Sequence, residues 1–256
     1  MADITLYGYC TSPYVRKVGC FLSYKKLSYD FVGVVPFDPK EIAFSGGTMV
    51  PVLKIGDEWK RESTDLGLWL DELYPDRPLL PEDAGRREKV LAIDRWASDS
   101  FMPSIFRGAI DAPDNLAFKL RAWRLAQLVS STAPMPEQVR QAWPEGLRTA
   151  PFIKALADTL DRSESLQDMQ IRLVGELIAH IGNGPFLGGM DRPTLADFSI
   201  WPQLVFGYMG GLEEHLSAAA VPEIKAWLSA VYAHLPENPT TIPDFMVVGK
   251  LADAGI

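Results

Sequence analysis

The sequence is poor in the residues that build disulfide scaffolds and metal sites. Its 256 residues include two cysteines, Cys10 and Cys20, and three histidines. Two cysteines cannot form a disulfide framework, and these two lie just before and within one predicted helix, where we do not expect them to pair. The histidines, His180, His215 and His234, are far apart and lack the spacing of metal ligands. We therefore expect a reducing, cytoplasmic setting and no bound metal.

Positive charge and long hydrophobic runs are also scarce. Lys and Arg number 25 against 33 for Asp and Glu, which gives a net charge of -8 at pH 7. Because phosphate binding needs clustered Lys and Arg, this charge argues against a nucleic-acid partner. No apolar stretch has membrane-spanning length, and Met1–Asp3 leads into a strand rather than a signal peptide, so we expect no membrane contact. The length of 256 residues suits one large domain or two small ones, and a hydrophobic content of 47% is enough for a packed core.

The most informative stretch is a turn from a strand into a helix near the N-terminus. Ile4–Tyr7 predicts a short strand. Ser12 followed by Pro13 predicts a helix start, because Ser is a strong N-cap and Pro is favoured at the first helical position. The free N–H groups and the positive dipole end of such a helix point at whatever lies at this edge of the sheet. A thiolate or carboxylate would be stabilised there, and the Ser12 hydroxyl would add a hydrogen bond.

Short strands and helices alternate over the first eighty residues. Further strands are predicted at 29–35, 50–55 and 58–61, and a second helix at 64–73 with Ser63 as its N-cap. The first strand, helix and second strand form a βαβ unit, which implies a parallel pair. The remaining elements follow in the order ββα.

The rest of the chain is predicted to be helical. Residues 74–81 contain three prolines and no periodicity, so they are the best linker candidate. Helices are then predicted at 82–101, 116–129 and 222–234, with one or two helices over 152–181, a further helix that starts at 192–197, and one short helix in the proline-rich stretch 130–151. Pro103 is expected to break or kink the first of them. We therefore predict an α+β fold with one domain at 1–80 and a helical domain at 81–256.

Four motifs, in this order, resemble those of the cytosolic glutathione transferase superfamily. They are Ser12–Arg16 at the strand-to-helix junction, Val50–Leu53, the pair Glu62-Ser63, and Phe186–Gly189 followed by Pro193–Phe198. In the last motif, Thr194 and Asp197 also have capping-box spacing. The resemblance implies a thioredoxin-like N-terminal domain, an all-helical C-terminal domain, a homodimer, and glutathione as co-substrate. Residues 103–151 match less well, and the C-terminal tail extends beyond the family's usual end.

The resemblance assigns Ser12 to the sulfur of glutathione. Cys-Pro-Tyr is the glutaredoxin form of this run, and a cysteine there would form a mixed disulfide itself. A serine hydroxyl would instead donate a hydrogen bond and stabilise the bound thiolate. Val15 occupies the place of the glutaredoxin resolving cysteine, so we expect no dithiol cycle at these two positions.

The resemblance also implies where the rest of glutathione binds. A cis bond before Pro51 would turn the backbone of Val50 toward the active-site helix, where it would pair with the cysteinyl backbone. Ser63 and the first N–H groups of its helix would hold the γ-glutamyl carboxylate, while Glu62 would pair with the ammonium. Lys40 would reach the glycyl carboxylate.

Each of these residues has a purely structural alternative, and one cysteine stays open as a rival. Ser12 and Ser63 could serve only as helix caps. Pro51 could simply begin an edge strand, where a missing N–H is tolerated, and Lys40 could be an ordinary surface lysine in a loop. Cys10 lies in the turn before the helix, where a thiolate would be stabilised, so it is a second candidate catalytic residue.

We therefore predict a transferase that conjugates glutathione to a small hydrophobic electrophile. The electrophile would bind between the domains, where Tyr14, Trp96, Phe101 and Phe106 are candidates for the lining. An alternative enzyme is a glutathione thiol transferase or lyase that depends on Cys10. An alternative of another class is a catalytically silent member that binds glutathione or a protein partner. The resemblance does not name the electrophile.

Overall fold

The computed structural model describes residues 3–36 and 38–256. Met1 and Ala2, which we expected to lead into the first strand, lie outside the described residues. Four strands, β1 Ile4–Gly8, β2 Asp30–Gly33, β3 Val52–Ile55 and β4 Glu58–Arg61, form one sheet in the order β2-β1-β3-β4. β2 runs parallel to β1, and β3 and β4 pair antiparallel. Together with α1 Pro13–Tyr24 and α2 Ser63–Leu73, this is the predicted βαβ–ββα order of a thioredoxin-like domain.

The remainder of the chain is helical. Its helices are α3 Ala84–Trp96, α4 Met102–Ile110, α5 Leu116–Ser130, α6 Glu137–Thr149, α7 Pro151–Ala157, α8 Leu166–Ile181, α9 Leu195–Met209 and α10 Pro222–Tyr232. Between residues 84 and 256 the only strand-like pairing is an isolated bridge between Phe186 and Met190. None of the helices in the described residues combines the length and the apolar character needed to cross a membrane. The predicted α+β fold is confirmed.

Helix α9 forms the centre of the core. It is apolar on all sides, and thirteen of its fifteen residues are buried, as expected for a helix enclosed by others. The predicted capping box starts it: the Thr194 backbone N–H donates to Asp197 at 2.7 Å. Asp197 also accepts from Leu187 N–H and from the Trp227 indole, at 3.0 and 2.8 Å. The motif therefore fixes the start of α9 against its neighbours.

Three local predictions need correction. Glu62, with φ of +67°, is the cap of α2, so Ser63 is its first residue rather than its N-cap. Pro103 does not end its helix: a wide π-type turn at Ala97–Phe101 precedes it, and α4 continues to Ile110. The helix predicted as short in 130–151 is α6, which runs from Glu137 to Thr149 and passes through Pro144, although an interior proline loses a backbone hydrogen bond and crowds the preceding turn.

The stretch between α4 and α8 packs against the turn that precedes α1. Helices α5 and α6 form a small second core of buried residues, on which the ring of Tyr9 packs; its members are Ala122, Ala126, Val129, Met135 and Trp143. This region, which matched the family pattern least well, therefore covers one side of the strand-to-helix turn.

The C-terminal tail fastens several elements together. The thiol of Cys20 in α1 donates to the carbonyl of Pro239 at 3.4 Å. Further along, Arg124 of α5 donates to the Met246 carbonyl and Val248 N–H donates to the Met209 carbonyl, both at 2.8 Å. The tail, for which the sequence predicted no structure, thus connects α1, α5 and α9.

Candidate functional site

Ser12 lies where β1 turns into α1, as predicted. Its backbone is extended, and its Oγ accepts a hydrogen bond from Val15 N–H at 3.4 Å, so Ser12 is the N-cap of α1. Pro13 fills the first helical position. Ser12 as a whole residue is 5% exposed. Because the capping bond is long and uses Ser12 only as an acceptor, the hydroxyl proton is available to an anion at the helix N-terminus.

Close packing of α1 on β1 brings this helix end to the sheet. A Cβ atom at Gly8 would clash with Val15 Cγ2, so only glycine fits at this position. Ser12 N–H donates to the Tyr9 carbonyl at 2.9 Å, which closes the turn. The turn therefore holds Ser12 in one position.

Cys10 has a different environment from Ser12. It is fully buried, and its thiol donates to the Leu128 carbonyl of α5 at 3.3 Å. Burial raises the pKa of Cys10 to about 11, although the charge of Arg16 opposes this. The thiol is therefore protonated at neutral pH. Leu128 is 118 residues away in sequence, so no local pattern could have shown this contact.

We expect both cysteines of the native protein to resist alkylation at pH 8. Burial raises the pKa of Cys10 and of Cys20, and the thiolate is the reactive form. Mass spectrometry after treatment with iodoacetamide should show little modification of the native protein and modification of both residues in guanidinium chloride. Rapid labelling of Cys10 in the native protein would contradict this environment.

The bond between Val50 and Pro51 is cis, as predicted. Val52, two residues later, pairs with Tyr7 at the end of β1, so Val50 lies beside the turn into α1. Among the described residues, neither the N–H nor the C=O of Val50 has a backbone partner. This backbone is therefore free to pair with an extended peptide.

The start of α2 presents a further set of free donors. The first backbone bond of the helix runs from Leu66 N–H to the Glu62 carbonyl at 2.9 Å, which leaves the N–H groups of Ser63, Thr64 and Asp65 without a helical acceptor. The positive φ of Glu62 costs about 1–3 kcal/mol, and such strain is found at ligand sites. Ser63 is buried and Glu62 is exposed. An anionic group fits this helix end.

A carboxylate that sequence reasoning missed acts on the same tyrosine as Glu62. Burial raises the pKa of Tyr14, and the negative charges of Glu62 and Asp99 raise it further. Asp99 belongs to the wide π-type turn Ala97–Phe101, and turns of this kind are frequent at functional sites. No sequence pattern indicated a functional role for Asp99, and only Pro103, nearby in the chain, indicated an irregular helix here.

Lys40 and two of the predicted lining residues are engaged elsewhere. Lys40 is exposed, and its ion pair, at 2.8 Å, is with Asp38. The indole of Trp96 donates to Glu176 of α8 at 2.7 Å, which turns Trp96 toward α8. The ring of Phe101 packs 5.9 Å from that of Trp96. Tyr14 and Phe106 are partly buried.

A buried polar network supports the start of α2. Lys17 Nζ lies 2.6 Å from Asp94 Oδ1 and donates to Thr64 Oγ1 at 2.9 Å. Thr64 and Ser199 each donate to Asp94 at 2.6 Å. The network therefore joins α1, α2, α3 and α9 directly behind the Glu62-Ser63 pair. In the described residues, no group of three or more His, Cys, Asp or Glu side chains is placed to hold a metal ion.

Comparison with known proteins agrees with this geometry. The sequence model of the glutathione S-transferase N-terminal domain matches residues 6–78. Prostaglandin E synthase 2 of Danio rerio is 23% identical over 266 residues, which cover 88% of this chain and 69% of that protein.

Two solved structures share the fold over most of their length. A glutathione S-transferase from Rhodospirillum rubrum F11 has a TM-score of 0.59 at 19% identity, covering 99% of this chain and 100% of that one. The β-etherase LigF from Sphingobium sp. strain SYK-6 has a TM-score of 0.58 at 20% identity, covering 90% and 95%. Residues 6–78 therefore match the glutathione S-transferase N-terminal domain, and the chain shares its fold with a solved glutathione S-transferase structure over almost its whole length.

Proposed function

We propose that this protein binds glutathione with its sulfur beside Ser12 and transfers it to a small hydrophobic electrophile. The observation that carries the proposal is the hydroxyl of Ser12, a buried residue, at the N-terminus of α1. In the reaction, the thiol proton leaves to solvent, and the thiolate attacks the electrophilic carbon to form the S–C bond. The electron pair of the broken bond departs with the leaving group, or remains on the electrophile in an addition. The hydroxyl and the helix end stabilise the thiolate before attack.

The other groups would hold the rest of glutathione. The unpaired backbone of Val50, next to Pro51, would bond to the cysteinyl residue. The γ-glutamyl carboxylate would accept from Ser63 and the free N–H groups of α2, while Glu62 and Asp99 would face the ammonium. Lys40 would exchange its exposed ion pair with Asp38 for the glycyl carboxylate. Homodimer formation and a cytoplasmic location remain predictions from the resemblance and the composition.

Cleavage of an ether is a second candidate, favoured by the similarity to the β-etherase LigF. The same thiolate would attack the carbon that carries the ether oxygen, and the oxygen would depart as an alkoxide or aryloxide that takes a proton from water. This lyase reaction would use the thiolate at Ser12. A thiol transferase that depends on Cys10 is disfavoured by the burial of that thiol.

We expect glutathione binding to weaken by about 1.5–3 kcal/mol when Glu62 is changed to Gln, the scale of a charged hydrogen bond. Isothermal titration calorimetry measures this directly. Glu58→Gln, in the neighbouring strand β4, is the matched control and should bind as the wild type does. Unchanged affinity of a folded Glu62→Gln variant would remove Glu62 from the site.

A substrate panel separates the reactions. Haloaromatic compounds and epoxides report conjugation, aryl ethers report lyase activity, and disulfides report thiol transfer. If the wild type fails to bind glutathione in calorimetry, the proposed function is wrong. Binding without turnover of any substrate would favour the silent member of the fold.

A further inference from the structure

A buried arginine lies directly beneath the Ser12 turn. Arg16 is 3% exposed, and its guanidinium donates to the carbonyls of Cys10 and Thr11, at 3.3 and 2.9 Å. These are the two carbonyls that precede Ser12. Arg16 is thus bound to the same turn that positions the Ser12 hydroxyl.

The opposite side of the guanidinium is held by α9. Nε and Nη2 both donate to Gln203 Oε1, at 3.1 and 2.6 Å, and the ring of Phe206 lies 3.8 Å away. The amide nitrogen of Gln203 donates in turn to the Pro13 carbonyl at 3.0 Å. Gln203 therefore fixes both the arginine and the first turn of α1.

Arg16 lacks the counter-ion that buried charges usually have. No Asp or Glu in the described part of the chain forms an ion pair with it, and the titratable groups whose charges reach it are the thiols of Cys10 and Cys20. Burial raises the pKa of both thiols, so both are neutral at pH 7. Burial lowers the pKa of Arg16 to about 9, so its guanidinium is charged at that pH.

We propose that Arg16 is a positioning residue whose uncompensated positive charge, held under the Ser12 turn by Gln203, stabilises the thiolate of bound glutathione in addition to the helix N-terminus. The ordinary pairing of a buried arginine with a carboxylate would cancel this field. A neutral amide at position 203 satisfies the guanidinium without cancelling its charge. The inference rests on the proposed glutathione site.

Supplying the missing counter-ion tests the proposal. Gln203→Glu keeps the size and the acceptor oxygen, and adds a negative charge beside Arg16. Gln203→Met loses the same donor to Pro13 and adds no charge, so it is the matched control. The pKa of the bound glutathione thiol is read from the ultraviolet absorbance of the thiolate across a pH titration, after calorimetry has established binding.

We expect the pKa of the bound thiol in Gln203→Glu to exceed that in Gln203→Met by about one pH unit, the effect of one unit charge at a distance of roughly 10 Å and an effective dielectric constant of about 20. A second pair repeats the test: Arg16→Lys should stay close to the wild type, and Arg16→Met should raise the thiol pKa. If every folded variant binds glutathione with the wild-type thiol pKa, the role of Arg16 is overturned. If the wild type does not bind glutathione, the proposed function is wrong, and this inference, which rests on it, is wrong as well.

Discussion

Replacing Ser12 with Ala is expected to lower the turnover of conjugation by about tenfold to a thousandfold while glutathione remains bound, the loss seen when one preorganised donor to an anion is removed. The hydroxyl disappears, but the N–H groups of α1 and the contacts at Val50 and Ser63 remain. Steady-state kinetics with a haloaromatic substrate, together with calorimetry, would separate the two effects.

The capping role of Ser12 requires its own control. An N-cap Ser→Ala change costs about 0.5–2 kcal/mol of stability wherever it is made. Ser165 caps α8 in the same way, accepting from Asp168 N–H at 3.1 Å. Ser165→Ala should therefore lose comparable stability and keep its activity. If both variants lost the same activity, the effect of Ser12→Ala would be one of stability rather than catalysis.

Variants of Cys10 complete this experiment. Cys10→Ala should leave conjugation close to the wild type, because the buried thiol does not take part. Ser12→Cys restores the Cys-Pro-Tyr run and should gain disulfide exchange as conjugation falls. The reverse pattern, an inactive Cys10→Ala and a glutathione adduct on Cys10, would transfer the catalytic role to that cysteine.

Asp94→Ala is expected to destabilise the fold by about 3–5 kcal/mol, because it leaves the ammonium of Lys17 buried without a counter-ion. The side chains of Lys17 and Asp94 are 1% and 4% exposed. Urea denaturation followed by circular dichroism measures the free energy of unfolding.

A matched control lies on the same helix. Arg95 and Glu88 are also 2.6 Å apart, but their side chains are 58% and 67% exposed. Water screens such a pair, so Glu88→Ala should change stability by less than about 1 kcal/mol. The double variant Lys17→Met with Asp94→Leu should recover much of the lost stability, since it removes both buried charges. Equal small losses in Asp94→Ala and Glu88→Ala would contradict the burial of the Lys17–Asp94 pair.

The residues that sequence predicted well act through local rules. Ser12 and Pro13 are an N-cap and a first helical residue, and Thr194 and Asp197 form a capping box; each pattern needs only a few neighbouring residues. The order of the elements along the chain followed from short apolar runs bounded by turns, whereas the order of the strands in the sheet was not predicted. The family resemblance added the cis bond at Pro51, which local patterns alone left undecided.

The residues that sequence missed depend on distant partners. The neutral state of Cys10 depends on α5, and the place of Asp94 depends on Lys17, 77 residues earlier. The sequence suggested no role for Arg16, because its hydrogen-bond partner Gln203 lies 187 residues later in the chain. Ser63 was predicted as the N-cap of α2 but is its first helical residue. No sequence pattern predicts the left-handed backbone conformation that makes Glu62 the N-cap. For Cys10, Asp94 and Arg16, tertiary contacts rather than local preference decide the environment.

The tail that crosses α1 has a consequence for the order of folding. Position 19 has room only for glycine, since a Cβ there would lie 2.7 Å from Thr241 Cγ2, and the Cys20–Pro239 contact joins residues 219 apart. During synthesis from the N-terminus, the sheet and α1 emerge long before the segment that covers them. This surface of α1 therefore stays uncovered until the segment around Pro239, 219 residues after Cys20, has been made.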